Sequence, residues 1–298
     1  MISFGKYKDR DALVVESDSL RATFLHRDGA KMTSLVDKLS KKELLLTKDG
    51  EKYKELSYNG SYVDSECSAF DDMFPTIDPY TPTSGAYKGI TYPDHGETCR
   101  LDFDVREVGG KAVLSAESKL FDVLYEKTVY PTGDGGIRID YSIHNKKDEP
   151  FDFIWAGHVM LKGEDGMRLI TPFSEDAPIE TVFATEGYNP SELPRDTLLG
   201  FKAGRGAAYK FYYLDKMREG RFSVKYADGR ELAFSFDEEK LPYLGVWINN
   251  GEFQNIYNIA PEPCTAPFDA PDKALLKGYS SKIGANEKFE FSIKISVK

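Results

Sequence analysis

Four histidines and a small set of acidic residues are the side chains whose types and settings could support acid–base chemistry. His158 lies in Ile154-Trp155-Ala156-Gly157-His158-Val159-Met160, an otherwise apolar run. A lone histidine in such a run is commonly a satisfied core residue, but the nearby tryptophan and the adjacent glycine favour a ligand-facing position. His95 lies in Tyr92-Pro93-Asp94-His95-Gly96-Glu97, a loop leading to Arg100. His26 stands beside a turn and reads as structural; His144 closes the run Ile137–Ile143 on its polar side and reads as a surface residue. Glu262 sits between Pro261 and Pro263 after an apolar run. Partial burial there would raise its pKa toward neutrality and suit it to act as a base. The same segment is equally consistent with a loop carboxylate in water. Asp71 and Asp72 are adjacent, and neighbouring strand residues point to opposite faces, so they are not expected to act as a catalytic pair. One could bind ligand hydroxyls while the other caps a turn.

Several other chemistries have no carrier in the sequence. There is no Gly-rich phosphate loop, no His-Glu-x-x-His zinc motif and no Gly-x-Ser-x-Gly nucleophile elbow. Cys67, Cys99 and Cys264 are odd in number and widely spaced, which suggests neither a zinc site nor a disulfide framework. They read as buried thiols in a reducing compartment.

The elements that must position these residues are strands. Phe289, Phe291, Ile293, Ile295 and Val297 alternate with polar partners, as do Ile137, Ile139, Tyr141 and Ile143. Leu101–Val105, Phe121–Tyr125, Phe222–Tyr226 and Leu232–Phe236 repeat the pattern. Such alternation marks strands with one buried and one wetter face. Turn signals separate them, including Gly109-Gly110 and Asp228-Gly229. Helical signals are confined to Asp272–Leu276, after Pro271, and to Ser191–Leu199. The expectation is an all-β chain of antiparallel strands forming a sandwich or barrel. Residues 59–93, 173–196 and 260–272 resist a strand reading and are expected to be functional loops. With no linker or internal repeat visible, residues 1–298 are expected to form one domain.

Composition narrows the partners. The net charge is −10, which disfavours nucleic acid and an anionic membrane surface. No stretch approaches the ~18 apolar residues needed to span a bilayer. The N-terminus lacks the apolar run of a signal peptide, so a cytoplasmic protein is expected. With 18 tyrosines and 19 phenylalanines, aromatic side chains abound. Most will pack the core, but rings also suit sugar recognition, because the apolar face of a pyranose can lie flat on them.

Taken in order, several motifs resemble the aldose 1-epimerase family and its galactose-mutarotase-like relatives. Asp28-Gly29-Ala30 through Glu43-Leu44-Leu45-Leu46 is similar to the family's opening segment. Phe70-Asp71-Asp72-Met73-Phe74-Pro75 resembles an acidic segment of a bacterial branch, and His95-Gly96 with Arg100 resembles the His-Gly-x-x-Arg element. Trp155-Ala156-Gly157-His158 resembles the Trp-x-x-His strand, and Leu241 to Glu262, through Trp247, resembles the closing strand pair. The resemblance implies an antiparallel β supersandwich that interconverts the α and β anomers of a free or phosphorylated hexose, a small-molecule sugar, with no metal or redox cofactor. It implies Glu262 as general base and His158 as general acid, with His95 and Arg100 orienting hydroxyls and Asp72, Trp155 and Trp247 lining the sugar site. His158-Val159 replaces the His-Pro of galactose enzymes, and Pro-Glu-Pro replaces their usual Glu-Pro-Gln. A non-catalytic sugar-binding protein, or a glycoside-processing enzyme pairing Asp71 or Asp72 with Glu262, are the alternatives.

Overall fold

The computed structural model describes residues 1–298 except 203 and 205. Alternating side chains fold into two large antiparallel sheets packed face to face. The larger has twelve strands. Its main path runs Ile2–Tyr7, Arg10–Glu16, Leu20–Leu25, Lys31–Asp37, Phe70–Met73, Ala156–Val159, Tyr257–Cys264, Tyr243–Asn250, Ala208–Tyr213 and Ile179–Ala184. Lys42–Glu43 and Leu161–Lys162 attach beside this path. The second sheet has eight strands and is built around Lys288–Val297, Ile137–Asn145 and Val123–Pro131. This is the antiparallel β supersandwich that the alternation and the motif order implied.

The apolar residues of the alternating strands meet between the sheets. Leu13, Phe24, Phe70, Val159, Phe211, Val246 and Ile259 of the large sheet join Leu114, Tyr125, Ile139, Tyr141, Phe234 and Ile293 of the second in one core. Asp228-Gly229 makes the expected hairpin, joining Arg221–Lys225 to Glu231–Phe236.

The structure departs from the sequence reading in places. The strand expected from Leu101 begins at Asp104, and the one expected from Phe121 begins at Val123. Helices are short, as expected, at Pro271–Leu276 and Arg195–Leu199, with 3-10 turns at Pro190–Glu192 and, outside the expected segments, at Tyr62–Asp64 and Thr98–Arg100. All three stretches expected as loops contain strand. Phe70–Met73 and Ile179–Ala184 lie in the first two, and Tyr257–Cys264 runs into the third. Flanking loop chemistry hid the first two. Prolines hid the last, because each lacks the N–H that a ladder requires.

Candidate functional site

Strand alternation decides which side chains reach the outer face of the large sheet. In Tyr257–Cys264, Ala260 and Glu262 face outward while Ile259 enters the core. Glu262 stands opposite Gly245, which in turn stands opposite Tyr212. One step along, Ala260, Trp247 and Lys210 form a second row on the same face. On the other flank, His158 is the register partner of Asp71. Gly245 keeps the first row open, since a Cβ there would lie 2.7 Å from the Tyr212 ring.

The prolines around Glu262 part the sheet at this point. Thr265 N–H bonds Trp155 O across the seam to the His158 strand. By alternation, positions 261 and 263 aim their nitrogens the same way, and both are prolines. Ladder donors are therefore missing toward His158, while the ladder toward Tyr243–Asn250 continues in unbroken register. Strand pairing with the His158 side stops at Ala156–Cys264 and resumes at Leu161–Ile259.

His158 and Glu262 face each other across this gap, with His158 Nε2 3.7 Å from Glu262 Oε1. They form the floor of a cavity of about 510 Å³, which His95, Tyr62, Lys210, Trp247 and Asp269 also line. Glu262 is 1 % exposed, and neither carboxylate oxygen receives an aligned hydrogen bond among the described residues. Lys210 Nζ lies 2.8 Å from Glu262 Oε2 and 2.7 Å from Asp269 Oδ1, and Tyr212 donates to the same Asp269 oxygen.

Behind His158, a second polar chain fixes its other nitrogen. Tyr62 Oη lies 3.4 Å from His158 Nδ1 and donates a 2.7 Å bond to Asp71, which is ion-paired at 3.0 Å with buried Lys31. The Tyr62 ring also stacks on His95 with centroids 3.9 Å apart and planes within 6°. His95 Nδ1 lies 2.8 Å from Asp94 Oδ1. The His95 backbone has φ 58°, a left-handed conformation that costs energy in a non-glycine residue. Gly96 lets this turn close on the acidic strand, since a Cβ there would lie 2.6 Å from Phe74 N.

Burial holds the His158 pKa well below the usual imidazole value, reinforced by the electrostatic effect of His95, Lys210 and Lys31. Burial also raises the Glu262 pKa from its ordinary value, against the opposing pull of Lys210. Burial works against the Lys210 ammonium, yet Asp269 and Glu262 outweigh it and raise its pKa. Asp269 is lowered despite burial, by Lys210 and the Tyr212 hydroxyl.

Three residues expected at the sugar site lie elsewhere. Trp155 faces the second sheet, bonds Tyr125 Oη through Nε1 at 2.7 Å and packs on Phe291 and Tyr141. Its strand position has the opposite parity to His158. Asp72 also points inward, to Lys127 at 2.8 Å and the Tyr141 hydroxyl at 3.0 Å. Arg100 is a backbone staple: its guanidinium donates to the carbonyls of Gly96, Tyr58, Gly60 and Asp94. It orders the His95 loop from behind and does not line the cavity.

Lys210, Asp269 and Tyr62 were not singled out from sequence. A lone lysine in Ala208-Tyr209-Lys210-Phe211-Tyr212-Tyr213 was a usable signal, since a charge in an apolar strand needs a partner. Asp269 sits in an irregular segment and Tyr62 in a single 3-10 turn, and neither has a sequence pattern around it. Among the described residues no group of three His, Cys, Asp or Glu side chains is arranged to hold a metal ion. Likewise, no helix among them is long and apolar enough to cross a membrane.

Neither a protein-family model nor a curated protein matches this sequence. Solved structures match its fold. A galactose mutarotase-like protein from Clostridium acetobutylicum superposes with TM-score 0.68 at 13% identity, covering 100% of this chain and 98% of its own. A galactose mutarotase-like protein from Lactobacillus casei gives 0.63 at 17%, covering 96% and 100%. A galactose mutarotase related enzyme from Lactobacillus acidophilus gives 0.65 at 14%, covering 96% and 97%. The chain therefore has the galactose mutarotase-like fold along nearly its whole length.

Proposed function

We propose that this protein is an aldose 1-epimerase, interconverting the α and β anomers of a sugar by acid–base ring opening. The observation that carries this reading is the facing pair of His158 and Glu262 on the floor of a cavity open to a small ligand. Glu262, as the carboxylate, takes the proton of the C1 hydroxyl while His158, as the imidazolium, gives its Nε2 proton to the ring oxygen, so one proton enters the pair as one leaves it. The ring opens, the C1–C2 bond rotates, and the roles exchange as the ring closes on the other face. The opposed pKa shifts suit this exchange. Burial raises Glu262 and lowers His158, so the two shifts run toward each other, and the active form is the one with the proton on His158 and Glu262 ionised. Lys210 favours the ionised, proton-accepting form of Glu262 and opposes the effect of burial. His95, stacked on Tyr62 at the cavity wall, is placed to orient a hydroxyl.

A glycosidase reading needs two carboxylates facing one bond. Asp72 is on the wrong face of the sheet, and Asp71 is spent on Lys31 and Tyr62. Exchange NMR on a panel of free and 6-phosphorylated aldoses tests the proposal. Wild type should speed α/β exchange, and Glu262→Gln should lower kcat by about 100-fold or more, the scale of a lost general base. No acceleration of any sugar would refute the activity, and full activity in Glu262→Gln would refute the assignment of the base.

A further inference from the structure

We infer that the substrate is a neutral reducing disaccharide, its reducing ring at His158 and Glu262 and its second ring on an aromatic platform made by Trp247, Phe183 and Phe253. The inference rests on the epimerase reading and specifies its substrate class. Trp247 lies two residues along the strand from Gly245, the register partner of Glu262. That spacing is about 6.8 Å, so the platform starts roughly one sugar ring away from the acid–base pair. Phe183 joins Trp247 because a register shift between Thr181 and Phe183 makes Phe183 the partner of Lys210 and turns it to the cavity face. The three rings touch mutually, with centroids 5.7, 5.6 and 5.8 Å apart.

The platform is built before any ligand arrives. Asn249 clamps Phe253 through both its N–H and its carbonyl. Gln254 ties the same loop to Val63 O and to Lys48. Yet Phe183 remains 40% exposed and Phe253 44%. Ordered aromatic surface left in water at a cavity rim marks a place where a ligand completes the burial. A second pyranose offers a flat apolar face to such rings.

Charge disfavours a phosphorylated sugar. The ionic groups lining the cavity, besides its histidines, are Asp78, Glu262, Asp269 and Lys210, and Lys210 is committed to two of those carboxylates. Arg100 faces away from the cavity, so no free cation among the described lining residues meets a phosphate.

The test is exchange NMR with glucose, glucose 6-phosphate, maltose and cellobiose on wild type, Phe253→Ala and Trp247→Phe. Wild type should show a kcat/KM for at least one disaccharide about tenfold or more above glucose, with glucose 6-phosphate slowest. Phe253→Ala should lower the disaccharide-to-glucose ratio by about tenfold, the effect of losing one aromatic contact, and Trp247→Phe should largely keep it. Glucose handled as well as both disaccharides, or a Phe253→Ala loss equal for both, overturns the inference and leaves the epimerase reading intact. If no sugar is accelerated, the epimerase reading fails, and tryptophan emission decides the subsite separately. Trp155 is buried, so a disaccharide-induced change that vanishes in Trp247→Phe supports the platform, and its absence in wild type overturns it.

Discussion

At the scale of single residues, the site is governed by how charge is shared around Glu262. Lys210 stabilises the Glu262 carboxylate and disfavours the His158 imidazolium. Replacing it by methionine therefore raises both pKa values. The bell-shaped pH profile of kcat/KM should move to higher pH in Lys210→Met, with its acid limb rising because Glu262 stays protonated longer. A pH–rate series on the two proteins checks this; a shift to lower pH would contradict the charge assignment. The macroscopic values belong to the pair rather than to either residue. Arg100 shows the opposite case, a charged residue whose donors are consumed by backbone carbonyls and which orders the neighbouring loop.

At the scale of elements, short strands and close turns set the geometry. The four-residue strand Phe70–Met73 delivers Asp71 to the cavity side and Asp72 to the core by alternation alone. The His95 turn is held against the end of this strand through Gly96, whose φ is 76° and whose missing Cβ admits the Phe74 backbone. Gly96→Ala should destabilise the protein by about 2 kcal/mol or more, from left-handed strain plus the steric clash. It should also lower activity by displacing His95. Urea unfolding with parallel exchange kinetics checks both, and an unchanged midpoint would contradict the close approach. The paired prolines at 261 and 263 act at this scale too, withholding donors where the sheet must open beside Glu262.

At the scale of the whole molecule, the two sheets are joined by an apolar core that contains a deeply buried ion pair, Asp72 with Lys127. Each side chain is 2 % exposed. Removing one partner leaves a stranded charge: Asp72→Asn should cost about 3–5 kcal/mol, whereas Asp72→Leu with Lys127→Met should cost much less or stabilise. Thermal unfolding of the three proteins measures the coupling, and equal losses in the single and double variants would refute it. Neither change touches the cavity, so activity of the folded fraction should persist. The sequence by itself determined the sheet class, because alternation writes burial directly into the chain, and the setting of Glu262 between prolines marked it for attention. The order of motifs brought His158 and Glu262 together as a hypothesis. Only the tertiary structure decided which aromatics and charges face the site. Trp155 and Asp72 differ from their outward-facing neighbours by a single step of strand parity, and Arg100 looks from sequence like any loop cation. Lys210, Asp269 and Tyr62 reach the cavity from segments far apart in the chain. Their meeting depends on sheet order and register, which are properties of the pairing between strands and not of any one segment.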